Sequence, residues 1–235
     1  YTPAVPVDSK NLPFTGVSGF FKHWKNAPAS IPRDRFLFFV GPRAGEITVN
    51  TTRILSTDPT RADQITQAEI TGRKQAELLT TFMKENLPGF ENSFLLETPT
   101  QIGVRESRRI AGQFQLSETD IINSTSFRDG IARCGYPIDI HMPDNAKMTL
   151  VDFKGSYEIP YRVMLPQNIN NLLVTGRAVS SSHDAFASLR VTAPVMALGQ
   201  AAGSAAALCI KTNTGPADVE IDTLRSLLVA NNTIL

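Results

Sequence analysis

The hydrophobic and polar positions of this chain change their period several times. Phe36 to Val40 is a continuous apolar run, whereas from Glu46 to Ile54 the residues alternate, with Ile47, Val49 and Thr51 set against Thr48, Asn50 and Thr52. With Gly41-Pro42-Arg43-Ala44-Gly45 between the runs, they predict an antiparallel hairpin whose second strand turns a polar face to solvent or a ligand. Ahead of it, Pro3, Pro6, Pro13, Pro28 and Pro32 predict extended chain and turns wrapping a sheet, because proline withholds an amide and disfavours helix at the preceding residue. Thr66-Gln67-Ala68-Glu69 reads as a capping box, and Ala68, Ala76, Leu79, Phe82 and Met83 continue one helical face to Asn86, ahead of Pro88-Gly89. Gly72 inside that helix implies close packing, since glycine there costs about 1 kcal/mol relative to alanine.

Strands are expected at about 93–97, 101–104, 138–141 and 158–162, forming a mixed, β-rich layer that a short helix at 118–122, capped by Ser117, interrupts. From Asn171 the grammar changes. Leu172 to Thr175 suits a central strand covered on both faces, and residues 195–211 are apolar on nearly every side. Gly199, Ala202, Gly203 and Ala206 would let a backbone or a ring approach closely. A last helix, about Thr223 to Ala230 after Asp222, would pack Leu224, Leu227 and Leu228. The class is α+β: a mixed or antiparallel β-rich cap domain with helices over residues 1–165, then a strand-helix-helix segment over 166–235 that would complete an α/β domain.

Composition narrows the function classes. The 235 residues can bury a sizeable core as one large or two small domains, and 23 Lys and Arg against 22 Asp and Glu leave no general attraction to nucleic acid or anionic lipid. The two cysteines, Cys134 and Cys209, are far apart and predict buried thiols, not a disulfide framework or a zinc site. Asp144 and Asp152 have no partner at ligand-like spacing, so no metal site is expected. Residues 194–210 fall short of the ~20 needed to span a bilayer. As to compartment, a cytoplasmic setting is favoured and export stays open.

The candidate chemistry gathers late in the chain. An apolar strand ends at Gly176-Arg177, a loop supplies His183 and Arg190, and a helix of small residues opens near Pro194, so guanidinium, imidazole and backbone N–H groups converge on a seat for an anionic ligand or an electron-accepting ring. Upstream, Arg105, Glu106, Arg108 and Arg109 form a dense charged block: arginines suited to carboxylate recognition, or an ion-pair cluster around Glu106. Arg53, on the polar-faced strand, is a further candidate.

These residues carry a resemblance. From Leu172 to Leu208 the chain is similar to the tail LLVxGRxxSxxHxAxxSxRVxxxxMALGQAAGxAAAL of the FAD-dependent oxidoreductase family, and 47–54, 101–112 and 157–162 resemble further blocks of it. Ala187 departs from the glycine that members often carry. The resemblance implies that Gly176, Arg177, Ser188, Leu189, Arg190, Val191 and Thr192 contact FAD. It makes His183 and Arg190 catalytic, His183 by handling substrate or proton and Arg190 by stabilising reduced flavin together with the helix N-terminus. Arg105, Arg109 and Tyr161 would meet a small organic substrate.

Such a protein should open with the phosphate-cradling G-x-G-x-x-G turn, yet no G-x-G occurs here, and Gly16 with Gly19 or Gly41 with Gly45 have the wrong spacing. The expectation is therefore a cap plus closing segment of a two-domain flavoenzyme. Hydride would pass between substrate and flavin N5, and the partner would be the protein's own N-terminal FAD-binding half. On that expectation FAD is absent from the fragment, which alone would be inactive. The competing expectation is a non-catalytic module that keeps the fold and binds a small molecule or a partner.

Overall fold

The computed structural model describes residues 17–41, 43–141 and 148–235. Pro3, Pro6, Pro13, Gly16, Pro42 and Asp144 lie outside the described residues. The chain divides into two compact units, one reaching Val104 and the other formed by Arg105–His141 with Met148–Leu235. Residue 165 falls inside the second unit.

In the first unit an antiparallel sheet runs β1 (Val17–Gly19), β2 (Phe36–Val40), β3 (Ile47–Val49), with Phe38 opposite both Val17 and Val49. The hairpin is present but its second strand is short. Beyond Val49 the side chain of Thr51 takes over the pairing: its Oγ1 accepts from Leu37 N and donates to Leu37 O, both at 2.9 Å. Thr51 is therefore buried, so the alternation read as a strand ends in a hydroxyl that replaces ladder bonds. Among the described residues ahead of β2, a four-residue helix α1 (Phe21–Trp24) interrupts turns and extended chain.

The core here is aromatic. Trp24, Phe36, Phe38, Phe82 and Phe90 are buried together, with Trp24 edge-on to Phe82 at 5.6 Å between centroids. Helix α2 (Ala62–Asn86) supplies Ala68, Gln75, Leu79, Phe82 and Met83 to the interior and ends where the sequence predicts. Its start is a correction. Thr66 does not cap it; the helix begins a turn earlier after Arg61, Thr66 Oγ1 donates back to Ala62 O, and Glu69 Oε1 accepts from Ile102 N. Residues 62–65 are compatible with a helix, so the box found no end to cap. Gln75 ties the unit together by donating to Ser30 O and Arg53 O and accepting from Arg53 N. Close packing at Gly72 is observed: an added Cβ would stand 3.2 Å from Ile54 Cδ1 and 3.4 Å from Ile102 Cγ2. The strands expected at 93–97 and 101–104 do not form; with Ile102 N given to Glu69, these residues are extended without a ladder, and Phe94 is largely exposed.

The second unit carries the candidate chemistry. Helix α3 (Glu118–Ile122) has the predicted cap, Ser117 Oγ accepting from Asp120 N while the Asp120 carboxylate accepts from Ser117 N. Strand β4 (Gly130–Cys134) pairs antiparallel with β7 (Tyr157–Pro160), and β5 (Ile138–His141) with β6 (Met148–Val151), so two small ladders replace the expected mixed layer. Helix α4 (His183–Leu189) leads into α5 (Thr192–Thr212), and α6 (Ile221–Ala230) follows. Pro194, Leu198, Ala201 and Ala205 form the buried stripe of α5, and the last three join Ile131, Tyr157, Ile159, Leu189, Leu224 and Leu228 in one core. The class is α+β, helices with small antiparallel sheets.

Two expectations for the tail are corrected. Leu172 to Thr175 is no strand: among the described residues no neighbouring strand pairs with it, and Leu172 is 41% exposed. Helix α5 is not covered all round, since Met196 and Ile210 stand out, Ile210 84% exposed. At 21 residues α5 is, by length and composition only, long and apolar enough to cross a membrane, a property shared by core helices. Both cysteines are free; Cys134 is buried and Cys209 half-buried.

Burial raises the phenols of Tyr157 and Tyr161 well above the ordinary tyrosine range, because the core penalises the phenolate more than the phenol. A raised value means that the folded state holds its protons longer. The associated stability is complete below the unfolded value of about 10 and is lost as pH climbs above it. In a spectrophotometric titration of the four tyrosines, two should yield tyrosinate absorbance only together with unfolding.

Candidate functional site

Backbone pairing brings the charged block beside the tail. Ile110 N donates to Ala178 O at 2.9 Å, Leu116 N to Ser180 O, and Ser182 N to Leu116 O at 2.8 Å, so residues 105–116 run along 176–182. Ser182 then starts α4 by accepting the amide of Ala185 at 3.1 Å, which makes His183 the first helical residue with its ring outside the core. There His183 Nδ1 meets Glu106 Oε2 at 2.9 Å, while the other oxygen of Glu106 pairs with Arg109. The guanidinium of Arg109 lies 5.3 Å over the ring of Phe186, one turn along from His183. Arg177 Nη1 donates to Arg105 O at 3.4 Å. Segment and helix thus join in a carboxylate-centred cluster with an imidazole at its rim.

Arg190 behaves differently from expectation. It caps the C-terminus of α4 and pairs with Asp139 of β5, Nη2 to Oδ2 at 3.0 Å, both side chains mostly buried. A guanidinium in that setting requires an anion, and Asp139 offsets the charge that the seat was expected to draw on. Nearby, burial raises the Tyr136 phenol and the Asp139 anion adds to it, while Arg190 and Arg105 oppose the shift. Asp139, Arg190 and Arg105 are therefore each within electrostatic reach of Tyr136.

The N-terminus of α5 is open. Val191 precedes it in extended conformation with no side-chain cap, the first intrahelical bond is Val195 N to Val191 O, and Thr192 and Ala193 are exposed. Pro194 has no N–H, which leaves the amides of Thr192 and Ala193 without intrahelical partners at the positive end of a 21-residue helix. Gly176 turns beside it at φ 76°, a left-handed conformation that glycine adopts without penalty. A Cβ there would lie 3.9 Å from Val195 Cγ1, so this turn abuts the first turn of α5. The donor set, two open amides next to a glycine turn and the exposed Arg177, fits an electron-rich ring edge. Among the described residues no glycine-rich turn offers a pyrophosphate cradle.

Other expected contacts lie elsewhere. Tyr161 is 2% exposed and donates to Pro216 O at 2.9 Å; a 3-10 turn after β7 drives it into the core, so it lines no entrance. Arg162 next to it is held by Asp129 and lies over Phe114. Ser188 and Leu189 are fully buried on the inner face of α4, the hydroxyl of Ser188 donating to Tyr136 O at 2.6 Å and contacting Tyr157 OH at 2.9 Å. Val191 is half-buried. Arg53 belongs to the first unit, its backbone held by Gln75.

Three contributors were not found from sequence: Asp139 under Arg190, Phe186 under Arg109, and Tyr136. Asp139 offered one signal, a lone acid between Ile138 and Ile140 on a predicted strand. Among the described residues no group of three His, Cys, Asp or Glu side chains gathers as for a metal ion.

Comparison with protein families matches residues 7–228 to the family described as FAD dependent oxidoreductase. No curated protein and no solved structure matches the chain.

Asp139→Asn removes the anion and leaves Arg190 uncompensated in a mostly buried place. Chemical denaturation should show a loss of about 3 kcal/mol, the scale for breaking one partner of such a pair.

Proposed function

Because the chain belongs to the family of FAD dependent oxidoreductases, we propose that it is the cap and closing segment of a flavoenzyme in which hydride passes between a small organic substrate and N5 of FAD. The observation that carries this reading is the uncapped, exposed start of α5 beside the Gly176 turn, within the same unit as the His183 and Glu106 pair. FAD, when bound, supplies the two-electron acceptor of that reaction.

Each residue then has a task that its surroundings permit. The amides of Thr192 and Ala193 offer fixed donors at a helix N-terminus, which favour negative charge on a flavin's pyrimidine edge without reorganising. Gly176 allows close approach of backbone, and Arg177 offers an exposed guanidinium to phosphate or ring. Arg190, neutralised by Asp139, keeps the α4–α5 elbow in place and contributes little net field. His183 presents its ring to solvent, where it can hand a proton to or take one from a substrate. Arg105 keeps the substrate-carboxylate role that the resemblance implies, whereas Arg109, engaged by Glu106 and Phe186, serves the cluster instead.

The phosphate-holding G-x-G-x-x-G half would be the partner of this segment, in the same protein. Support comes from Leu172 to Thr175, an apolar run with no strand to pair with among the described residues, and from the uncovered face of α5 at Met196 and Ile210. The domain boundary near residue 165 belongs to this proposal, as the point where the substrate domain returns to the cofactor domain. Without that half, the segment by itself would retain flavin weakly or not at all.

The test is flavin retention by the full-length protein. Thr192→Pro deletes one open amide at a position where proline suits the helix and the extended Val191 before it accepts one. It should lower the flavin reduction potential while leaving the fold intact. Arg177→Ala should weaken retention about 10-fold, the scale of one charged hydrogen bond. Unchanged potential and retention in both variants would remove the assignment.

A further inference from the structure

We propose that Glu106 is a positioning residue that fixes the tautomer and orientation of His183, leaving Nε2 as the nitrogen that takes or returns a proton. The inference rests on the flavoenzyme reading only for the use made of that proton.

The argument begins with hydrogen-bond inventory. The Nδ1 of His183 stands 2.9 Å from Glu106 Oε2, and because an ionised carboxylate can only accept, that approach favours the tautomer with its hydrogen on Nδ1 over the one that sets a lone pair against the anion. In the neutral ring the second nitrogen, Nε2, is then the lone-pair site. This side chain is 64% exposed, so the free nitrogen is accessible to a substrate.

An exposed ion pair between two mobile side chains would hold no such geometry, since its Coulomb energy is small and both chains lose entropy. Here the anion is not mobile. Its second oxygen is taken by Arg109, whose guanidinium is in turn seated over Phe186 at 5.3 Å. Phe186 is buried in the same helix that His183 opens. The cluster therefore closes on itself: α4 provides both the imidazole and the aromatic platform, and Arg109 braces the carboxylate between them. Glu106 and Arg109 are each only about a quarter exposed, so water competes weakly for this brace. Asp184, also on α4, has its place in the first turn, where an acid favours the helix rather than the ring of its neighbour. The backbone carbonyl of Arg105 accepts from Arg177 and so ties the charged block to the turn ahead of α4.

The arrangement follows the logic by which an anion behind an imidazole sets which nitrogen works. It also gives the charged block a purpose that substrate recognition alone does not: two of its four charged side chains, Glu106 and Arg109, serve the imidazole of His183.

The experiment is 15N NMR of the imidazole nitrogens in the full-length protein at about pH 9, where an ordinary imidazole is neutral. The His183 signals among the three histidines are assigned by their loss in His183→Asn. In the wild type Nδ1 should be protonated and Nε2 bare; Glu106→Gln should give a mixture of tautomers, and Glu106→Asp, still an acceptor-only anion, should restore most of the Nδ1–H form. Acylation by diethyl pyrocarbonate, which attacks the bare nitrogen, should slow severalfold, roughly 3-fold or more, in Glu106→Gln and recover in Glu106→Asp. A protonated Nε2 in the wild type, or the same tautomer and acylation rate in Glu106→Gln, would overturn the proposal. Neither measurement needs flavin, so a protein that keeps the Nδ1–H tautomer yet retains no flavin counts against the flavoenzyme reading alone.

Discussion

A guanidinium withdrawn from water has to meet an anion, and the contact between Arg190 and Asp139 satisfies that demand at the joint of the second unit. Arg190 ends α4 and stands two residues ahead of α5, so anchoring it to β5 fixes the angle at which one helix hands over to the next. The consequence reaches the candidate site. With the Arg190 charge balanced, the positive potential at the start of α5 comes from the helix itself, through amides that no residue caps, and from Arg177 beside the Gly176 turn. Mutating Arg190 would therefore disturb position before it disturbed field.

The same economy of polar groups appears elsewhere. Thr51 replaces two ladder bonds with one hydroxyl, and Gln75 uses both ends of its amide on backbone that no regular element serves. Ser188 sits at the centre of Tyr136, Tyr157 and Cys134, fully buried and bonded. In each case an interior polar residue takes the place of regular pairing, which explains why the ladders are shorter than the alternation of the chain suggests. Ser188, read by resemblance as a cofactor contact, is better understood as one of these internal links.

The Glu106 cluster differs because it leaves something over. Every charge in it has a partner, yet the imidazole shows a nitrogen to solvent. Together with the open amides of α5 in the same unit, it forms the combination on which the proposed function rests: a donor array for developing negative charge and a proton carrier. The chain belongs to the FAD dependent oxidoreductase family, and the proposed function assigns that family's cofactor to this combination.

Local order in the chain was sufficient for some of this. The Ser117 cap with Asp120, the stop at Asn86 before Pro88-Gly89, the hairpin around Gly41 to Gly45 and the helix opening before Pro194 depend on contacts within a few residues, and all four are readable from the sequence. The family blocks likewise placed Gly176, Arg177 and His183 in one motif. What the sequence could not decide were choices between equally suitable partners far apart in the chain. Whether Arg190 faced a ligand or Asp139, whether Glu106 served Arg109 alone or also His183, and whether Tyr161 opened outward or turned into the core each depended on which segments packed together. Leu172 to Thr175 makes the same point from the other side: among the described residues a run apolar enough for a central strand has only the Val174 N bond to Met164 O and joins no ladder, because strand structure requires a neighbouring strand and hydrophobicity alone provides none. Sequence settled the elements whose bonds close locally; tertiary structure decided which distant charge meets which, because only packing brings those atoms within reach.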